Sequence, residues 1–225
     1  MGLIHAGMAQ HGTVVFAHEQ TKGKGQRNKQ WLSAPDKNII LSIVIQPFKL
    51  KINQQFLLSM GVANAVHKFF NNYGKKETTI KWPNDIYWCD RKAGGILIEN
   101  VIQGKEWKHA VIGIGLNINQ VDFGCYTKAV SLKQITGKEY DTIVMAKELV
   151  QHVHSTLKQL ISDSKEIVKY YHRHFYKLKE KVQLKTKDKE FEGIIKGVNE
   201  NGLLIVYHHK KDEHYKAGEI EWINS

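Results

Sequence analysis

The segment Lys81-Trp82-Pro83-Asn84-Asp85, followed closely by Lys92-Ala93-Gly94-Gly95-Ile96-Leu97-Ile98-Glu99, gathers an amide, a carboxylate and an ammonium in one short stretch. Pro83 fixes the chain and Asn84-Asp85 make a polar turn. Asp85 offers oxygen ligands to Mg²⁺, an ion that keeps several waters and sits beside phosphates; its plainer role is to cap the turn. Lys92 stands just before a glycine pair, where a point cation can meet phosphate oxygens. Alone it would read as a surface lysine. Together these groups can hold a nucleotide and neutralise charge developing on a phosphate.

Two other segments carry related chemistry. From Gln20 to Trp31 the chain holds Gly23 and Gly25, the cations Lys22, Lys24, Arg27 and Lys29, and no acid. Glycines let backbone approach a ligand and turn N–H groups toward an anion. Lys24 and Arg27 add charge, and Trp31 offers a ring for stacking. The spacing matches neither a P-loop nor a dinucleotide fingerprint, and a solvated hairpin is the bland alternative. In Gly113-Ile114-Gly115-Leu116-Asn117-Ile118-Asn119, small or polar residues alternate with apolar ones. One strand face would open to a ligand while the other enters the core; a bulge or tight packing would give the same pattern.

The elements that must position these residues are legible in outline. Thr13–His18 and Asn38–Gln46 read as strands. Residues 54–72 read as a helix with Phe56, Leu57, Met60, Ala63, Val66, Phe69 and Phe70 on one face and Gly74 as its stop. Strands are expected at 78–82, 85–89, 95–102 and 107–118, joined by short links as in an antiparallel or mixed sheet. A helix is expected from Thr142 to Ile161, N-capped by Asp141, with Leu149, Val153, Leu157 and Leu160 inward. Asp163 and Glu166 cap a third helix reaching Tyr176. Then the pattern changes. Val182–Lys187, Phe191–Val198, Leu203–His208, Glu213–Lys216 and Glu219–Ile223 read as five short strands, with Asn201-Gly202 as a tight turn, and so as a small β-barrel.

In order and spacing, the three chemical segments resemble the biotin protein ligases. That family carries a Gly-Arg-Gly-Arg-Arg-Gly-x-x-Trp loop, a Lys-Trp-Pro-Asn-Asp turn, a Lys-x-x-Gly-Ile-Leu-x-Glu strand and a Gly-x-Gly-x-Asn strand. Here these read Gly23 to Trp31, Lys81 to Asp85, Lys92 to Glu99 and Gly113 to Asn117. The last fifty residues, with Gly218-Glu219-Ile220, are similar to the family's C-terminal SH3-like domain. The resemblance runs from about residue 13 onward. It implies an α+β fold: a class II synthetase-like catalytic domain over residues 1–176, with helices on a mixed or antiparallel sheet, then an SH3-like barrel over 177–225.

The resemblance also implies roles. Biotin would be held by Gln20, Gly23 and Lys24, with its rings against Gly95, Ile96, Gly113 and Gly115 and its carboxylate on Lys92. Lys24, Gln26, Arg27, Trp31, Asn84, Asp85, Lys92 and Asn117 would engage ATP and then biotinyl-5'-AMP. Lys92, Arg27 and Asp85 would be catalytic, and Asp85 would help place Mg²⁺. The acceptor would be a lysine on a biotin carboxyl carrier protein, and homodimers occur in the family in more than one geometry. Three departures stand out. Gln26 replaces an arginine associated with retaining the adenylate, and Asn28 replaces a loop glycine. Further, the family places a strand and helix with a Ser-Thr-Asn motif before Thr13, whereas Met1–Gly12 lacks that motif and is too short for both. An N-terminal DNA-binding domain and repressor activity are therefore not expected.

Composition bounds the rest. With 225 residues, 42% of them hydrophobic, and only three prolines, the chain is an ordinary folded protein with room for a sizeable core. No apolar run approaches the roughly 18 residues needed to cross a bilayer, and no signal peptide opens the chain. Cys89 and Cys125 form no C-x-x-C pair, which fits a reducing cytoplasm. The net charge of +11 falls unevenly: residues 1–174 hold 23 Lys+Arg against 13 Asp+Glu, and residues 175–225 hold 10 against 9. No base-reading motif accompanies it, so anionic nucleotide and an acidic protein partner account for it as well as DNA would. His152/His154 and His172/His174 are i, i+2 pairs that point to different helix faces, a poor arrangement for a metal. The rival readings are a lipoate–protein ligase and a non-catalytic homologue that only binds.

Overall fold

The computed structural model describes residues 2–28, 30–47, 49–74 and 77–223; Lys29 of the glycine loop lies outside them. Six strands form the main sheet: β1 Val14–Phe16, β2 Asn38–Ile45, β3 Thr78–Lys81, β4 Asp85–Trp88, β5 Arg91–Gln103 and β6 Glu106–Asn117. Their order is β1-β2-β6-β5-β4-β3, and every neighbouring pair is antiparallel. The helices are α1 Gly2–His5, α2 Gln55–Gly74, α3 Leu132–Thr136, α4 Thr142–Ser162 and α5 Ser164–Arg173. The C-terminal sheet comprises β7 Lys181–Thr186, β8 Glu190–Val198, β9 Leu204–His208, β10 Lys211–Tyr215 and β11 Ile220–Trp222, in the order β10-β9-β8-β7-β11. The α+β class and the C-terminal β-sheet domain are as the sequence implied.

One face of the main sheet makes the core. Ile39, Leu41, Ile112, Ile114 and Leu116 meet Leu58, Val62, Phe69 and Phe70 of α2 and Leu149 and Val153 of α4. The single apolar stripe expected on α2 is incomplete: Gly61, Asn64, Ala65 and His67 are buried as well, whereas Phe56 and Leu57 are only half-buried. The helix lies between the sheet and the α4–α5 pair, and a helix covered on several sides has no polar face to keep. Asp141 caps α4 as anticipated, accepting bonds from the Ile143 and Val144 N–H groups.

The chain overrides local propensity at three places. The third helix stops at Arg173 rather than Tyr176 because Phe175 runs beside Ile80, with Ile80 N–H donating to His174 and Tyr176 N–H to Ile80. β5 begins at Arg91, four residues before the expected start, so Lys92 stands within a strand. Helix α3 escaped the periodicity because it is a single turn plus a cap. Its Ser131–Gln134 capping box and left-handed Gly137 were the available signals.

His67 couples folding to pH. It is fully buried, with Nε2 2.9 Å from the Thr78 carbonyl and Nδ1 2.9 Å from the Tyr170 hydroxyl. A carbonyl only accepts, so Nε2 carries the proton and Nδ1 accepts from Tyr170. Burial lowers the pKa from 6.5 to about 4, against the opposing bond to Thr78 and with help from the charges of His174 and Lys68. Between those values the unfolded chain binds the extra proton. The stability contribution is therefore full above pH 6.5 and is lost as pH falls toward 4. Its size is about 3 kcal/mol. His67→Gln, which keeps a donor toward Thr78, should flatten the fall in Tm between neutral pH and about pH 4.5. An undiminished slope in the variant would exclude His67 as the cause.

Candidate active site

The sheet face away from the helices lines a cavity of about 770 Å³. Alternation along β6 sends Val111, Gly113, Gly115 and Asn117 toward it, while Ile112, Ile114 and Leu116 enter the core. Gly95, Leu97 and Glu99 of β5 and Ile40 and Ser42 of β2 extend the same face. Strict alternation would put Lys92 and Gly95 on opposite faces. The register between β4 and β5 shifts instead, with Ile86 opposite Gly94 and Tyr87 opposite Lys92, which leaves Ala93 as an extra residue. That bulge returns Lys92 to the cavity side.

Lys92 Nζ lies 2.7 Å from Asp85 Oδ1, with the two side chains 36% and 22% exposed. Gly95 makes room for the pair, since a Cβ there would stand 3.2 Å from Asp85 Oδ1 and 3.5 Å from Lys92 Nζ. Asn84, after a cis Trp82-Pro83 peptide, is tied to Ile96 in both directions: its carbonyl accepts from Ile96 N–H and its side-chain amide donates to the Ile96 carbonyl. The Asn117 amide donates to the Lys92 carbonyl at 3.3 Å and the Val130 carbonyl at 3.2 Å. Lys92 also bonds through its backbone to Lys128 and Val130. Both backbone groups of Lys92 are thus hydrogen-bonded, which holds its ammonium group beside Asp85 at little entropic cost.

The glycine loop reaches over this floor. Lys24 pairs with Gln30, and Trp31 N–H donates to the Gly23 carbonyl at 3.0 Å, so the loop is a narrow hairpin. Gly23 closes its neck: a Cβ there would lie 2.2 Å from the Trp31 carbonyl oxygen. The Trp31 indole lies across Gly115, 2.6 Å from where a Cβ would stand, and its Nε1 is buried without a hydrogen-bond partner. Gln20, Lys24, Gln26, Arg27, Trp31, Asn84, Asp85, Lys92, Gly95, Ile96, Gly113, Gly115 and Asn117 therefore all line one cavity. Gly23 does not; it shapes the loop from behind.

Several contributors had no sequence signal. Lys81, read only as part of the turn motif, is 9% exposed. It lies 4.4 Å from the Tyr87 ring, 5.1 Å from Tyr176 and 5.4 Å from Trp222. Burial lowers its pKa to about 8, opposed by the attraction of Asp85. Ile220, Glu221 and Trp222 bring the C-terminal sheet to the cavity wall, and Phe123 and Tyr126 add the segment after β6. Cations outnumber acids on the lining, with Lys22, Lys24, Arg27, Lys81 and Lys92 against Asp85, Glu99 and Glu221. Such a site attracts an anion.

A sequence profile of the biotin/lipoate A/B protein ligase family matches residues 4–117, just over half of the chain. The bifunctional ligase/repressor BirA of Bacillus subtilis is 32% identical over 149 residues, which cover 64% of this chain and 44% of the relative. BirA of Escherichia coli is 26% identical over 227 residues, covering 97% of this chain and 68% of its own. The chain thus spans less than half the length of the Bacillus relative. Among solved structures, the biotin protein ligase from Aquifex aeolicus in complex with biotin and ATP superposes with a TM-score of 0.81 at 24% identity, covering 96% of this chain and 91% of that one. That likeness speaks for the fold, and the family follows from the sequence match: the chain belongs to the biotin/lipoate A/B protein ligases.

Proposed function

We propose that the chain is an ATP-dependent biotin–protein ligase. The observation that carries this reading is the meeting of three distant segments at one cavity, whose lining includes Lys92 paired with Asp85. In the first step the biotin carboxylate attacks the α-phosphorus of ATP and expels pyrophosphate, giving biotinyl-5'-AMP. In the second, the amine of an acceptor lysine on a biotin carboxyl carrier protein attacks the mixed anhydride, forms an amide and expels AMP. No protein nucleophile is required. The work is alignment and neutralisation of charge.

Gly95, Ile96, Gly113 and Gly115 would form the floor under biotin, with Gln20 and Lys24 at its edge. Lys92 would span the carboxylate and the α-phosphate. Arg27, Gln26, Trp31, Asn84 and Asn117 would surround the nucleotide. Mg²⁺ suits the site as an ion delivered with ATP: Asp85 supplies one carboxylate, and such an ion keeps most of its ligands from phosphate and water. Among the described residues no three His, Cys, Asp or Glu side chains gather to cage an ion. Residues 1–176 would act as the catalytic domain and 177–225 as an SH3-like domain. Among the described residues no helix is long and apolar enough to cross a membrane, and both cysteines are free and exposed, in keeping with a cytoplasmic enzyme.

The test is avidin blotting of a carrier domain after incubation with the chain, biotin, ATP and Mg²⁺. Label should appear on the acceptor lysine and vanish without ATP; an unlabelled carrier would end the proposal. The loop also predicts how the intermediate is held. Gln26 lines the cavity where a cation would add a charge-assisted bond. Gln26→Arg should slow release of biotinyl-5'-AMP about 10-fold. Equal off-rates would count against a role for this position in retention.

A further inference from the structure

The C-terminal sheet does more than wall the cavity. Gly218, in the turn between β10 and β11, has φ +97, a conformation that disfavours any side chain. The turn is fixed on both sides: Glu219 N–H donates to the Lys216 carbonyl, and the Glu219 carboxylate accepts from Lys216 N–H at 2.7 Å. Against the bare Cα of Gly218 lies the guanidinium of Arg27. A Cβ on Gly218 would stand 2.2 Å from Arg27 Cζ and 2.3 Å from its Nη1. Arg27 is itself held at φ 55, ψ 48, in the left-handed region, at the tip of the glycine loop. Two unfavoured backbone conformations, almost two hundred residues apart, therefore meet in one contact.

We infer that Gly218 is a positioning residue: it seats the Arg27 guanidinium and so sets how far the glycine loop closes over the nucleotide. The inference rests on the ligase reading, in which Arg27 engages the adenylate, and deepens it by assigning loop closure to the C-terminal sheet. Carbon–carbon contacts settle near 3.5–4.0 Å, so a methyl at Gly218 would push the guanidinium outward by about an ångström or more. Arg27 lines the cavity, and in the ligase reading a displacement of that size at a group engaging the adenylate costs up to about 100-fold in rate. Gly218 is not among the residues lining the cavity, and the three atoms nearest its Cβ position all belong to Arg27, so biotin binding on the proposed β5–β6 floor should survive.

The experiment is a double-mutant cycle on biotin-dependent ATP–pyrophosphate exchange, using Gly218→Ala, Arg27→Ala and both together. Gly218→Ala alone should lower kcat/KM for ATP by about 10- to 100-fold with an unchanged Kd for biotin, and in the Arg27→Ala background it should add less than about twofold. Limited trypsin digestion gives a reading independent of activity: cleavage after Arg27 should be faster in Gly218→Ala than in the parent chain. An equal loss in both backgrounds would mean backbone strain alone and would overturn the inference, as would full activity in Gly218→Ala. Absence of any biotin-dependent exchange in the parent chain is a different failure. It would remove the ligase reading, and this inference with it.

Discussion

Lys92→Ala is expected to lower biotin-dependent ATP–pyrophosphate exchange by about 100- to 1,000-fold, the cost of removing a preorganised charge aimed at a transition state. In the proposed reaction negative charge would build on the α-phosphate as the carboxylate attacks and pyrophosphate leaves, and the ammonium held beside Asp85 would be the group to meet it. Folding should be almost untouched. The side chain is more than one-third exposed, its backbone bonds to Lys128 and Val130 need no ammonium, and loss of so solvated an ion pair costs about 1 kcal/mol or less. Exchange assays beside a thermal melt separate these outcomes. An unaltered exchange rate would remove Lys92 from its role, whereas a collapse of Tm would show that the lysine serves the fold.

Gly113→Val should do the opposite kind of damage: the chemistry stays intact and the substrate is shut out. A Cβ at Gly113 meets only ordinary contacts, 3.4 Å from the Leu97 carbonyl oxygen and 3.9 Å from its Cβ. Valine also suits a strand better than glycine does. The branched side chain must then stand in the cavity, where the rings of biotin would lie. A single methylene of misfit is worth about 1–3 kcal/mol, so three added carbons should raise the KM for biotin by at least about 100-fold. The KM for ATP should change little and Tm should hold or rise. The neighbouring glycines provide contrast. At Gly94 a Cβ would lie 2.2 Å from Leu116 and 2.7 Å from the Gly115 carbonyl, so Gly94→Val should cost stability before it costs binding. Equal biotin KM values for Gly113→Val and the parent chain would take biotin off this strand.

How much of this was readable in the sequence depends on whether one segment or several create the feature. The glycine loop, the Trp82-Pro83-Asn84-Asp85 turn and the Gly113–Asn117 strand each pack their functional groups into a few consecutive residues, and all of them reached the cavity. Helix α4 with its Asp141 cap was legible for the same reason, since capping and periodicity act locally. Lys92 was recognisable as chemistry but not as part of β5, because the bulge at Ala93 depends on pairing with β4. Gly23 looked like a ligand cradle; only the position of Trp31 shows that it closes the neck of the loop. The contacts of Lys81 with the Tyr176 and Trp222 rings and the seat of Arg27 on Gly218 join residues more than ninety positions apart. No periodicity or spacing encodes such contacts. The same holds for Phe175, which ends α5 by pairing with Ile80 on a strand far earlier in the chain.

The most direct test of the shared cavity is the identity of the first product. Purified chain incubated with ATP and Mg²⁺ should form biotinyl-5'-AMP and an equimolar amount of pyrophosphate when biotin is present, seen by mass spectrometry of the extracted nucleotide, and no adenylate when lipoate replaces biotin. Adenylate with lipoate but not with biotin, or none with either acid, would contradict the account.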